Sequence, residues 1–241
     1  MVVRNARRSW IICDSSQPDG LGVFDDCAQQ ATSPGQIMTR FRWRSAHSAH
    51  NILVQTEMQE LLEACKQADV VYFSDAVHPQ HNTRACYGWI KSGKTFEVES
   101  NTGRDRVNIN AALNAHDVCD VVMREDESIN AESTIALYEQ LQEHHREGRI
   151  HVICDNAKYY RSRAVKEWVE NSRIVQVFLP SYSPNLNLIE RLWRFFRKKV
   201  TDTEFYPTKE KFREAVRRFF NDIEQHRSEL ESLLTLNFRV A

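Results

Sequence analysis

The 241 residues, 41% hydrophobic and 27% charged, suffice for one large domain or two small ones with a substantial core, and exclude a disordered or fibrous chain. A formal net charge of -1 gives no global drive toward nucleic acid, so a DNA-binding surface has to be a local basic patch. No apolar run reaches the roughly 18–20 residues a membrane-spanning helix needs, and Arg4, Arg7 and Arg8 precede no apolar stretch of the secretory kind.

Residues 1–45 mix turn signals (Gln17-Pro18-Asp19-Gly20 and Ser33-Pro34-Gly35) with short apolar fragments of no sustained period, which predicts a poorly ordered or atypical N-terminal segment ahead of a unit spanning 46–241. Residues 52–66 suit an amphipathic helix. Val70 to Phe73 is a short apolar β run leading into Ser74 and Asp75. Gly88 to Thr95 then satisfies the GxxxxGK[ST] pattern of a phosphate-binding loop. The pattern needs a helix after it, whereas Phe96 to Glu99 alternates like a strand, so nucleotide hydrolysis is a weak rival. Arg106 to Asn114 alternates as a half-buried strand, and Val118 to Met123 is a third β run. Asn130 to His145 carries Ile135, Leu137, Tyr138 and Leu141 at helical spacing. Ile150 to Cys154 is a strand ending at Asp155. Arg161 to Glu170 reads as a helix, Ile174 to Leu179 as a strand and Leu188 to Val200 as a helix, with two further helices over Lys209 to Phe220 and Asp222 to Leu234. The order βββαβαβα predicts an α/β domain with a mixed sheet, three antiparallel strands followed by crossover units.

Two of the β runs end in an aspartate, Asp75 and Asp155, and functional groups collect outside strand ends. Glu190 opens a helix, with 34 residues between it and Asp155. Each acid has a plain structural explanation. Asp155-Asn156 can be a strand-ending turn, Asp75 a lone surface acid, and Asn187-x-x-Glu190 a capping box. Taken together they form an all-oxygen set, which suits Mg²⁺ or Mn²⁺ and not zinc. The six cysteines contain no CxxC pair and offer no structural zinc site; free thiols in apolar runs, such as Cys119 and Cys154, fit a reducing intracellular compartment.

Around these acids the segments SDAVHPQHNTRACYGWI, HVICDNAKYYRS and LPSYSPNLNLIERLWRFFRKKV, with NTGRDRVNINAALN, NAESTIALYEQL and SELESLLTLNFR, closely resemble the DDE transposases of bacterial insertion sequences related to the mariner group, over roughly residues 65 to 238. The resemblance implies an RNase H-like fold flanked by helices. It implies a two-metal mechanism using two Mg²⁺ or Mn²⁺ ions, with Asp75, Asp155 and Glu190 as catalytic and metal-holding residues. It further implies double-stranded DNA as partner, cleavage at transposon ends and joining to a TA target by a homodimer, in the cytoplasm at the bacterial nucleoid. Ser181 stands where the family often has proline. About 65 residues precede the matching stretch, with no pattern of two helices and a short turn, so a truncated or frame-disrupted copy lacking the helix-turn-helix region is the expectation.

DNA contact is expected from Arg191, Arg194, Arg197 and Lys198 on the Glu190 helix and from Lys158, Arg161 and Arg163 beyond Asp155. For Lys209, Lys211, Arg213, Arg217 and Arg218, DNA contact and an ordinary solvated helix face are evenly matched. Trp193 reads as core, and His78 and His81 as structural or phosphate-contacting groups. The competing functions are a non-catalytic DNA-binding remnant and, less well matched by SPNLNLIERLW, a resolvase-like nuclease.

Overall fold

The computed structural model describes residues 69–84, 105–179, 186–202 and 204–236, with single positions and short stretches between 56 and 101. Residues 1–45, Ser181 and the glycine-lysine pair Gly93-Lys94 therefore lie outside the described residues. Thr56, Glu60, Leu62 and Glu63, within the helix expected over 52–66, are helical. Thr95 and residues 97–101 form neither the helix a phosphate-binding loop requires nor the strand that alternation predicts.

Strands β1 (Val70–Val77), β2 (Asn108–Asn114) and β3 (Val121–Asp126) come first, followed by helix α1 (Ala131–His144), strand β4 (Ile150–Cys154), helix α2 (Arg163–Glu170) and strand β5 (Ile174–Phe178). Helices α3 (Ile189–Val200) and α4 (Lys209–Asn221), a 3-10 turn (Ile223–His226) and helix α5 (Arg227–Leu233) complete the fold. The sheet order is β3-β2-β1-β4-β5. β1–β2 and β2–β3 are antiparallel, and β4 pairs parallel with both β1 and β5. This is the expected mixed sheet.

Two apolar layers sandwich it. On one face Tyr72, Val152, Cys154 and Ile174 pack against Leu137, Tyr138 and Leu141 of α1 and Val165 of α2. On the other, Val71, Phe73, Ile109 and Ile153 pack against Leu192, Trp193 and Phe196 of α3 and Phe212, Val216 and Phe219 of α4. Coverage on both faces explains why β1 and β4 are near-continuous apolar runs.

It also overturns one expectation. β2 is buried along its whole length and not half exposed. Its polar positions are tolerated because hydrogen bonds absorb them. Asn108 Nδ2 donates to the Glu127 carbonyl (2.6 Å), Asn110 Nδ2 to the Ser133 carbonyl (3.4 Å) and Asn114 Nδ2 to Asp120 Oδ2 (2.8 Å). β3 starts three residues later than predicted, because Val118 to Asp120 form the turn, where the Asp117 carboxylate accepts from the Cys119 N–H. The last predicted helix divides at Arg227 into a 3-10 turn and α5.

Local capping agrees with the sequence pattern. Asn130 and Ser133 form a reciprocal capping box at the start of α1, and Ser162 and Thr208 cap α2 and α4. Gly148, at φ 73°, makes the turn into β4 that a side chain would hinder.

Candidate active site

β1 and β4 run parallel with Phe73 opposite Ile153. Two residues further in the same register, Asp75 near the end of β1 comes level with Asp155, the first residue beyond β4. Side chains alternate along a strand, so both acids fall on the face of Val71, Phe73 and Ile153, which α3 covers.

Glu190 enters from the first turn of α3, where the positive end of the helix dipole favours a carboxylate. The capping box with Asn187 does not form: Leu188 is the N-cap residue and no side chain caps the helix. Asn187 Nδ2 donates instead to the Ser74 carbonyl (3.3 Å), next door to Asp75. One turn after Glu190, the Trp193 indole N–H donates to Asp75 Oδ2 (3.1 Å). Residues three apart share a helix face, so this bond turns the Glu190 side of α3 toward β1. On the other side Ser74 Oγ meets the Tyr160 hydroxyl (3.2 Å), tying β1 to the loop after Asp155.

The electrostatics report the same convergence. Burial, then the facing charges of Glu190 and Asp155, push the Asp75 carboxyl up to about 7, while the Ala76 and Trp193 N–H donors pull it back. The charges acting on it most strongly are thus both negative. The Tyr159 phenol is also raised, first by burial and then by Asp155 and Asp75. Three carboxylates with no imidazole or thiolate among them form a hard oxygen set whose mutual repulsion a small divalent cation would relieve, so the residues fit Mg²⁺ or Mn²⁺.

The basic residues divide. Lys158, Arg194 and Lys198 are exposed. Arg197 is half-buried, donates to the Trp193 carbonyl (3.1 Å), and lines a cleft of about 360 Å³ with His78, Gln80, Thr83, Arg84 and Thr201. Arg161 lies over the Phe178 ring (4.2 Å) and bonds Asn156, and Arg163 pairs with Glu167 (2.6 Å) at the solvent surface. Arg191 donates to the Thr235 carbonyl (2.7 Å), which ties α3 to the chain just beyond α5. Arg213 and Arg217 both clasp Glu125 (3.0 and 2.8 Å), Lys209 meets Asp105 and Lys211 meets Glu214, so that face is neutralised by its own acids. His81 Nε2 bonds the Tyr206 carbonyl (2.8 Å) and His78 Nδ1 bonds Asn108 (2.9 Å), the structural roles expected.

The model of the DDE superfamily endonuclease matches residues 70–213, from β1 to the first turns of α4. The chain belongs to this family. It is 25% identical over 146 residues to the insertion element IS630 uncharacterized 39 kDa protein of Shigella sonnei, a match covering 60% of this chain and 42% of that relative. The matched region thus spans under half the relative's length. Among solved structures, a Mos1 transposase paired-end complex with the left transposon end superposes with a TM-score of 0.52 at 14% identity, over 93% of this chain and 69% of that one. A Mos1 mariner paired-end complex with Mn superposes with a TM-score of 0.54 at 15% identity, over 89% and 64%. At these identities the likeness is one of fold, and it agrees with the RNase H-like architecture expected.

Trp193 and Tyr159 are the site residues that sequence reasoning passed over. Trp193 is core by burial, at 1% exposed, yet its indole N–H donates to Asp75. The available signal was its place three residues after Glu190, on the same helix face.

Proposed function

We propose that this DDE domain cleaves DNA and joins the freed 3′-hydroxyls to a target, with Asp75, Asp155 and Glu190 as the catalytic carboxylates. The observation that carries the reading is the parallel register that brings Asp75 level with Asp155, while Trp193, one turn past Glu190, donates to Asp75; the raised Asp75 carboxyl agrees with it. Such an arrangement costs stability unless cations compensate it, and perturbed groups of this kind cluster at functional sites. Two Mg²⁺ or Mn²⁺ ions held there would supply activation of the attacking oxygen and neutralisation of the leaving one in an in-line displacement at phosphorus.

The protein's own part is to fix the three acids. Trp193 and Asn187 fasten the start of α3 to Ser74 and Asp75, which holds the helix that carries Glu190 against β1. Asp155 is the most exposed of the three, and its Oδ1 accepts from the Ala157 N–H (2.9 Å), which leaves its other oxygen for a cation. Arg84 and Arg197, which line one cleft, would seat phosphates of the strand being cut, and Lys158, Arg161, Arg163, Arg194 and Lys198 are further candidates for DNA contact. Arg191 holds the Thr235 segment and is left out of that set.

Transposon ends and a TA target are the DNA partners, two copies of the chain form the working unit, and the compartment is the bacterial cytoplasm at the nucleoid. The Mos1 paired-end complexes and the Shigella sonnei insertion-element relative support this reading.

The test is nicking of supercoiled plasmid and strand transfer of a 3′-hydroxyl oligonucleotide into TA-containing DNA, with Mg²⁺ or Mn²⁺. Each of Asp75→Asn, Asp155→Ala and Glu190→Gln is expected to lower the rate at least about a thousandfold, equivalent to about 4 kcal/mol of barrier. Nicking at the parental rate in all three variants would overturn the assignment.

A further inference from the structure

A second cluster of metal-binding groups lies on the opposite face of the sheet from Asp75. Asp120, in the turn before β3, faces two consecutive histidines at the end of α1. His144 Nε2 lies 3.0 Å from Asp120 Oδ1, and His145 Nε2 lies 3.7 Å from Asp120 Oδ2. One ligand atom from each of the three residues fits within a span of 4.8 Å. We propose that Asp120, His144 and His145 bind a transition-metal dication, Zn²⁺, that clips α1 to the β2–β3 turn.

The geometry suits that ion. Ligands about 2.0 Å from a tetrahedral zinc stand roughly 3.3 Å apart, close to the 3.0 Å between His144 Nε2 and Asp120 Oδ1, and His145 brings a third ligand atom within the 4.8 Å span. Two imidazoles and one carboxylate form a borderline set, softer than the all-oxygen set around Asp75, so the two sites select different cations.

The surroundings hold the ligands in place. Tyr72, fully buried in β1, donates its hydroxyl to Asp120 Oδ2 (2.5 Å), and Asn114 Nδ2 donates to the same oxygen (2.8 Å). That leaves Asp120 Oδ1 facing His144. Carboxylates oriented by such outer donors are a regular part of metal sites. The turn that carries His145 is fixed by Arg173, whose guanidinium donates to the carbonyls of Gln142 (2.8 Å), His145 and Gly148 (3.0 Å). The Tyr72 hydroxyl also touches His145 Nε2 (2.5 Å), a contact the ion replaces when it binds. Access is open, since the His144 side chain is 51% exposed against 16% for Asp120.

The cysteine pattern gives no hint of this site, because its ligands come from a turn and a helix end 24 residues apart. It is independent of the catalytic reading. None of its residues belongs to the Asp75 site, so either reading can fail while the other stands.

The experiment is calorimetric titration of the full chain with Zn²⁺ in millimolar Mg²⁺. The wild type is expected to take up one equivalent. His144→Ala, at an exposed helix end, and His145→Ala are each expected to lose that equivalent. Tyr72→Phe is expected to bind roughly 10- to 100-fold more weakly. Asp75→Asn is expected to keep the equivalent. No stoichiometric uptake by the wild type would overturn the proposal, as would uptake unchanged in both histidine variants. A sulfur-to-metal charge-transfer band on titration with Co²⁺, showing cysteine ligands, would overturn it too.

Discussion

Replacing Asp75 by Asn should make the metal-free protein more stable at neutral pH while abolishing its proposed chemistry. The Asp75 carboxyl sits at about 7 in the fold against an ordinary 3.8. Between those values the folded chain keeps a proton that the unfolded chain has released, so stability falls as pH rises from about 4 to about 7. The gap corresponds to a penalty of roughly 4 kcal/mol at most, fully present above pH 7 and absent below the unfolded value. Asn carries no charge and escapes it. In chelator, Asp75→Asn is expected to melt above the wild type at pH 8, by up to roughly 8–16 °C for a chain of this size, and to converge with it near pH 4. Millimolar Mg²⁺ should raise the wild-type melting point at pH 8 and leave that of Asp75→Asn unmoved. Thermal denaturation at pH 4, 6 and 8, with and without Mg²⁺, measures all of this. A wild-type stability that is flat from pH 5 to pH 8 in chelator would refute the reasoning, as would an Asp75→Asn variant less stable than the wild type at pH 8.

Trp193→Phe removes the donor to Asp75 Oδ2 and little of the packing, so the Mg²⁺ concentration for half-maximal nicking should rise roughly 10- to 100-fold with a smaller loss of rate at saturation; an unchanged Mg²⁺ dependence would show the bond to be incidental. Lys158→Ala and Arg194→Ala should each weaken DNA binding and flatten its salt dependence by about one unit of slope, whereas Arg213→Ala and Arg217→Ala, spent on Glu125, should leave the slope alone; titrations at several salt concentrations distinguish the two sets. Arg191→Ala should cost about 1–3 kcal/mol of folding stability through its bond to the Thr235 carbonyl, with DNA affinity unaltered, as denaturant melts and binding titrations would show.

Much of the fold was legible because periodicity and burial agree in this chain. The apolar runs at β1 and β4 lie in the sheet interior, and α3 shows its stripe of Leu192, Phe195 and Phe196 toward the core. Alternation misled at β2, where asparagines occupy buried positions that depend on partners far along the chain, such as Ser133 and Glu127. The three acids were singled out by strand ends, spacing and neighbouring segments, and remain the proposed site. What holds them together was not. Asn187 reads as a cap for Glu190 and is recruited instead by the Ser74 carbonyl, and Trp193 reads as plain core. The basic residues show the same limit. Charge alone could not separate Arg194, left in solvent, from Arg191, bound to its own chain end, or from Arg213 and Arg217, closed onto Glu125. His144 and His145 gained significance only when the sheet brought Asp120 across from them.

Mn²⁺ binding followed by electron paramagnetic resonance tests the centre of the account most directly. The wild type should bind Mn²⁺ competitively with Mg²⁺, and Asp75→Asn, Asp155→Asn and Glu190→Gln should each lose that binding, as the proposal that these three acids hold the ion requires. Retention of wild-type affinity in Glu190→Gln, with loss in the two aspartate variants, would contradict it by taking the helix acid out of the site.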